Sequence, residues 1–274
     1  MKGGKTDMLE IRDISKTFNA GTINEKKALD HVSLTLNDGD FCTVIGGNGA
    51  GKSTIMNAVA GVWPVDEGSI LIGGKDVTGL CEYKRAAFLG RVFQDPMIGT
   101  AADMQIVENL AMAARRGQKR TLRWGVTKQE YERYRELLRT LDLGLEDRMT
   151  AKVGLLSGGQ RQALTLLMAT MQRPELLLLD EHTAALDPRT AAKVLEATDR
   201  IVSENKLTTM MVTHNMKDAI LHGNRLIMMS EGRKIFDVSG EEKKNLKVAD
   251  LLKKFEEAGS GNEISDRMVL DSKE

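Results

Sequence analysis

The string Gly46-Gly47-Asn48-Gly49-Ala50-Gly51-Lys52-Ser53-Thr54 constrains this chain more than any other stretch. It follows the apolar run 41–45 and opens a segment with helical periodicity from Lys52 to about Ala60. That order calls for a strand that feeds a tight glycine loop into a helix. Glycines let consecutive backbone N–H groups curl inward, and the helix start adds positive potential, so such a unit cradles phosphate oxygens. At this spacing Lys52 is expected to reach the β- and γ-phosphates of a nucleotide and the Ser53 hydroxyl to coordinate Mg2+.

The rest of the chain supports an α/β fold around that unit. Residues 8–18 alternate partially and predict an edge strand. Val32, Leu34 and Leu36 alternate with Ser33, Thr35 and Asn37, the pattern of a half-buried strand, and 37–40 form a turn. Residues 69–72 with Gly73 and Gly74 predict a strand entering a turn. From about 97 to 156 the character changes to charged, amphipathic helix: Thr127 and Glu130 have capping-box spacing, followed by Tyr131, Tyr134, Leu137, Leu138 and Leu141 on one face. This predicts an inserted helical subdomain, with the basic run 115–120 as a solvated helix end or loop. Strand and helix then alternate again: 176–179, then 188–202 behind an Asp187 N-cap and Pro188, then 208–213. Continuous apolar strands between helices indicate a parallel sheet covered on both faces. The fold class is therefore a P-loop NTPase core with an antiparallel β subdomain and an inserted helical subdomain, covering 1–258. Residues 259–274, rich in Gly, Ser and charge, predict a loose tail.

Composition removes several function classes. Lys plus Arg and Asp plus Glu both number 39, so no net charge draws the chain to nucleic acid, and aromatics at 4% are too few for base-stacking platforms. No apolar stretch reaches the roughly 20 residues of a membrane span, and the N-terminus lacks the apolar region of a secretory signal. Cys42 and Cys81 form no spaced cluster, and the methionines at 168, 171, 210, 211, 228 and 229 read as core filling.

A second acidic element completes the nucleotide site. The strand 176–179 ends in Asp180 and Glu181, which places carboxylates at the C-terminal edge of the sheet, where open α/β folds bind ligands. Asp180 is expected to hold Mg2+ or its water, and Glu181 to polarise the attacking water. Leu156-Ser157-Gly158-Gly159-Gln160 opens an apolar helix and forms another anion cradle.

With that string the chain resembles the nucleotide-binding subunit of ATP-binding-cassette (ABC) transporters, over about residues 9–238. Residues 156–160 match the family signature, Gln94 the Q-loop glutamine, residues 185–187 the D-loop with Asp187, and His214 the switch histidine. Phe18 matches the aromatic that stacks on adenine, although a core role fits it as well. Read alone, Gln94 is a surface amide and His214 a core histidine; their matching order assigns them to the site. After the Asp-Glu pair most members carry Pro or Ala, whereas this chain has His182. The string 180–188 is similar to a subgroup paired with branched-chain amino-acid-type permeases, some of it described as tryptophan or tyrosine uptake systems; Gly90-Arg91-Val92-Phe93-Gln94-Asp95-Pro96-Met97 is a weaker cue to the same subgroup.

The resemblance implies ATP and Mg2+ as cofactors, with Gln94 touching the metal and Glu181 and His214 at the chemistry. It implies a second copy of the chain whose Ser157 helix start closes over the γ-phosphate, an integral-membrane permease received near Met97 and Ile98, and an extracytoplasmic solute-binding protein. The chain would then sit on the cytoplasmic face of the cell membrane. An inactive module is disfavoured because Lys52, Asp180, Glu181 and His214 are all present. A single cassette with a short insert argues against ribosome and DNA-repair cassettes. Iron–sulfur assembly and export both stay open.

Overall fold

A computed structural model of the chain describes residues 7–118 and 125–258. Strands β1 (Asp7–Phe18), β2 (Lys26–Asn37), β4 (Glu67–Ile72) and β5 (Lys75–Asp76) form an antiparallel sheet in the order β2-β1-β4-β5. The second sheet contains β3 (Phe41–Gly46), β6 (Leu89–Val92), β7 (Leu176–Asp180), β8 (Thr208–Val212), β9 (Arg225–Ser230) and β10 (Arg233–Ser239). Its order is β10-β9-β3-β8-β7-β6, parallel except for the outer strand β10. The helices are α1 (Lys52–Ala60), α2 (Glu82–Arg85), α3 (Ile106–Ala114), α4 (Lys128–Arg139), α5 (Gly158–Thr170), α6 (Pro188–Asn205), α7 (Met216–Leu221), α8 (Glu241–Lys244) and α9 (Val248–Glu257).

One expectation is corrected here. The 8–18 segment is not an edge strand, because β1 is hydrogen-bonded to β2 on one side and β4 on the other. The cause is long-range: β4, some fifty residues on, returns to cover what local alternation leaves as a free edge. The β2 alternation is found as expected, with Val32, Leu34 and Leu36 buried.

The parallel sheet has apolar layers on both faces. Leu176 and Leu178 join a core with α1 and the antiparallel sheet, while Leu177 and Leu179 join a core with α3, α4, α5 and α6. Side chains alternate across a strand, so a four-leucine run has no polar position only when both faces are covered. A third cluster seals β9 and β10 with α7 and α9, around Met228, Leu251 and Phe255. Met210, Met211, Met228 and Met229 are buried filling, as their apolar setting predicts.

In the helical segment Thr127 caps α4 through the reciprocal Thr127–Glu130 box, and Tyr134 and Leu138 face the core. Arg115 ends α3 and pairs with Glu130 at 2.8 Å, while Lys119 and Arg120 lie outside the described residues. The 259–274 segment also lies outside them. Among the described residues no helix is long and apolar enough to cross a membrane.

Candidate active site

The phosphate loop leaves β3 at Gly46 and enters α1 behind Gly51. Both glycines are required by space. A Cβ on Gly46 would stand 2.5 Å from the Met229 carbonyl oxygen, and one on Gly51 would stand 2.7 Å from the Ala28 carbonyl oxygen, at a φ of +100°. No side chain caps the first turn of α1, so its amides stay available to an anion. The Lys52 ammonium is tucked inside the loop, where it donates to the carbonyl oxygens of Gly46 and Gly47 at 2.8 and 2.9 Å. A cavity of about 230 Å³ opens there, lined by Phe18, Lys26, Ala28 and residues 49–54. Phe18 reaches it from the end of β1 and meets Trp63 edge-on, ring centroids 4.9 Å apart. Lys26 escaped the sequence reading. It comes from the start of β2, and no local pattern shows that β2 folds over the loop.

Strand register gathers the remaining groups. Val44 pairs with Val212, Asp180 with Val212, and Val92 with Leu179. Gly46, Gln94, Asp180, Glu181 and His214 therefore all lie at the C-terminal edge of four adjacent parallel strands, although they are far apart in the chain. Asp180 is mostly buried. Desolvation raises its carboxyl above the usual carboxylate range, and the nearby cations Arg91, at 3.6 Å, and Lys52 oppose that shift. Glu181 turns off the strand at a φ of +43°, in the left-handed region that costs a non-glycine residue energy. Its amide donates to the Val212 carbonyl and its carbonyl accepts from Ala184, which holds the turn. Glu181 Oε2 lies 3.8 Å from His214 Nδ1. Gln94 is exposed, just beyond β6.

The signature residues stand elsewhere. Ser157 is the N-cap of α5: its hydroxyl accepts from the Gln160 amide, and the Gln160 side-chain oxygen accepts from the Ser157 amide. A Cβ on Gly159 would fall 2.0 Å from the Thr190 methyl, so Gly159 allows the start of α5 to press on the start of α6, which Asp187 caps. Gly158 faces Leu186 in the same contact. None of residues 157–160 or Asp187 lines the phosphate-loop cavity.

His182 differs from its neighbours in being a core residue, 2% exposed. Its Nε2 is 3.1 Å from Thr198 Oγ1, whose own proton goes to the Val194 carbonyl, so Nε2 carries the hydrogen. Burial pushes the imidazole down to about 4, and it stays neutral near pH 7.

Among the described residues no cluster of three His, Cys, Asp or Glu side chains forms a metal cage. Mg2+ does not need one, because it keeps its waters and binds through one or two carboxylates together with substrate phosphates. A lone, mostly buried Asp180 and the exposed Ser53 hydroxyl beside a phosphate cradle suit that demand.

The profile of the ABC transporter family matches residues 29–184. The chain is 43% identical over 255 residues to the tyrosine transport ATP-binding protein of Clostridioides difficile, covering 92% of this chain and 100% of that protein. It is 32% identical to the methionine import ATP-binding protein MetN of Clostridium tetani, over 89% of this chain and 76% of the relative. Among solved structures, the ADP conformation of the ABC transporter cassette MJ1267 superposes with a TM-score of 0.74 at 28% identity, covering 91% of this chain and 97% of that one. The dimeric post-hydrolysis state of the cassette MJ0796, bound to ADP and Pi, gives 0.73 at 25%, with 85% and 98% covered. The likeness runs past residue 184 to the full length of a transport ATP-binding protein, and this chain belongs to the ABC transporter family as an ATP-hydrolysing subunit.

Proposed function

We propose that this chain energises the uptake of an aromatic amino acid, tyrosine first among them, and does so as an ATP-bound pair. The hydrolytic reading rests most on one observation: Glu181 and His214 meet at 3.8 Å on the strand edge that also carries Asp180 and the phosphate loop. In this proposal the loop amides and Lys52 bind the β- and γ-phosphates, Phe18 supports the adenine, and Glu181 takes the proton of the attacking water. His214 holds Glu181 and the γ-phosphate in register. Ser53, Asp180 and Gln94 would hold Mg2+, which when bound neutralises phosphate charge. Ser157, Gly158, Gly159, Gln160 and Asp187 of a second copy complete the site from the other side. A relative's dimeric ADP and Pi state supports this arrangement.

The transport part of the proposal adds a separate integral-membrane permease, an extracytoplasmic solute-binding protein and a peripheral place on the cytoplasmic face of the membrane. An open groove of about 1620 Å³ between the parallel sheet and the helical segment, reaching Arg91, Phe93, Pro96 and Gly99, is where the permease would dock, with exposed Met97 and Ile98 at its side. The substrate assignment leans on the 43% likeness to a tyrosine transport protein. Its test is reconstitution of the tagged chain with its co-purifying permease in liposomes. ATP-driven accumulation of labelled tyrosine, competed by tryptophan or phenylalanine and not by leucine, is expected. Accumulation of leucine or of no amino acid would reject the substrate while leaving ATP hydrolysis intact.

A further inference from the structure

Arg91 stands where three parts of the site meet. It lies on β6, three residues before Gln94, with only 13% of its side chain exposed. Its Nη2 donates to Asn57 Oδ1 of α1 at 2.8 Å and approaches Asp180 Oδ2 at 3.6 Å. The guanidinium carbon lies over the Phe93 ring, 4.5 Å from its centroid. The Phe93 carbonyl in turn accepts from Nε2 of Gln162, a buried residue of α5. One connected set of contacts thus joins the phosphate-loop helix, the strand of Asp180, the approach to Gln94 and the signature helix. Within it, Arg91 Nε and Gln162 Oε1 are buried without a hydrogen-bond partner among the described residues. A buried unpaired donor or acceptor is costly.

The strengths of the two Nη2 contacts are unequal. The Asn57 bond is short and the Phe93 ring lies under the guanidinium carbon, so the guanidinium is held by two contacts. The Asp180 contact is the looser one. A cation held this way acts on the carboxylate rather than being moved by it.

We propose that Arg91 is a positioning residue for Asp180: anchored by Asn57 and Phe93, it holds the carboxylate in the orientation in which it receives the metal of the metal–nucleotide complex. The proposal rests on the reading of Asp180 as the metal-holding carboxylate. Two other roles for Arg91 give different outcomes. A cation acting only by its charge would repel a dication, so its removal would tighten metal binding. A packing role alone would lower stability and metal-free nucleotide binding together.

The test is a Mn2+ titration by electron paramagnetic resonance on the full chain with a non-hydrolysable ATP analogue, alongside fluorescent-nucleotide binding in EDTA. Arg91→Gln is expected to weaken Mn2+ binding by about tenfold or more, the usual effect of removing a group that orients a metal ligand. Nucleotide affinity in EDTA should hold, and steady-state kinetics should show kcat falling more than KM rises. Arg91→Lys keeps the charge without the planar fork and should recover part of the loss. Asn57→Ala, which removes the anchor and leaves Arg91 in place, should show a smaller selective loss; it carries the test should Arg91→Gln not fold. Unchanged or tighter Mn2+ binding in Arg91→Gln, or equal losses with and without metal, overturns the proposal. Asp180→Asn separates the two levels. If it retains normal Mn2+ affinity, the reading of Asp180 itself falls; if it loses Mn2+ while Arg91→Gln and Asn57→Ala do not, only the role of Arg91 falls.

Discussion

The strand-end cluster and the signature helix start are the two halves of the proposed nucleotide site, yet they are built in opposite ways. Gly46, Gln94, Asp180, Glu181 and His214 are gathered by four neighbouring parallel strands, whose register fixes them against one another within one chain. Ser157 and Gly158 are exposed on a helix start where Ser157 and Gln160 close a reciprocal capping box and the glycines pack on Leu186 and Thr190. The first region has partners for chemistry on all sides. The second is closed on itself by its capping box, and among the described residues none of 157–160 lines the phosphate-loop cavity. This difference points to a divided site: one chain supplies the reacting groups and another supplies the cover. Variants in the two regions should therefore fail differently, the first in the chemistry and the second only in assembly.

The largest effect is expected at Glu181. Glu181→Gln removes proton acceptance and keeps shape, so hydrolysis should fall roughly 10²–10⁴-fold, about 3–5 kcal/mol of barrier. ATP binding should survive, because Lys52 and Asp180 are untouched. Such a variant should accumulate as an ATP-loaded dimer on size-exclusion chromatography. Turnover near the normal rate would transfer the proton-accepting role away from Glu181 and remove the main contrast between the two regions.

Ser157→Arg addresses the other side. Bulk and charge at the capping hydroxyl should block closure of the second chain over the γ-phosphate, and losing such a donor set costs roughly 10²-fold in turnover. Each separate chain should still bind ATP with unchanged affinity, as read by fluorescent-nucleotide titration. Mixing this variant with Glu181→Gln sharpens the contrast. A pair has two composite sites, and in the mixed pair one site carries both lesions while the other carries none, so partial hydrolysis should return. If Ser157→Arg weakens ATP binding by the isolated chain, the cradle at α5 belongs to its own chain's site and the division is wrong.

Much of this contrast was legible before folding, and the reason is physical. The phosphate loop, the acidic strand end and the Ser157 helix start are local devices: spacing within a few residues fixes backbone geometry, and β3, α1, β7, α5 and α6 begin where the pattern places them. The misses are all long-range. The partial alternation of 8–18 cannot show that β4 closes its second side, so a central strand reads as an edge. Lys26 and Arg91 carry ordinary surface chemistry in sequence and acquire their places only when β2 crosses the loop and β6 lies beside β7. His182 was recognised as a departure from the family, but its burial against Thr198 depends on how α6 packs, sixteen residues later.

That burial makes His182 a measurable marker on the strand-end side. The ordinary histidine value is near 6.5, and the folded one is pushed down to about 4. Between these values the unfolded chain takes up a proton that the folded chain refuses, so stability falls as the pH drops from 6.5 toward 4 and is fully retained above 6.5. Between pH 7.5 and pH 5 this amounts to about 2 kcal/mol. Urea unfolding of the nucleotide-free, metal-free protein should show His182→Gln losing about that much less over the same interval than the unmodified chain. Equal losses would mean that His182 is reached by water, and that the turn carrying Glu181 is looser than the strand edge implies.

The smallest effect belongs to Phe18, which stands on the antiparallel sheet outside both regions and has two competing explanations. If its ring is only core, Phe18→Ala should lower stability and leave nucleotide affinity alone. Its geometry favours the site: the ring lines the phosphate-loop cavity, and its partner Trp63 meets it edge-on, ring centroids 4.9 Å apart. Aromatic stacking contributes about 0.5–1.5 kcal/mol, so Phe18→Ala should weaken ATP binding about twofold to twelvefold. Phe18→Tyr should restore it, because the face is kept. The informative comparison is inorganic triphosphate, which has no base. Its affinity should be indifferent to Phe18 and fully sensitive to Lys52→Ala, so the two ends of the same cavity separate into a base contact and a phosphate contact. A parallel loss of triphosphate binding in Phe18→Ala would show that the ring supports the loop itself, and would assign Phe18 to the fold rather than to the nucleotide.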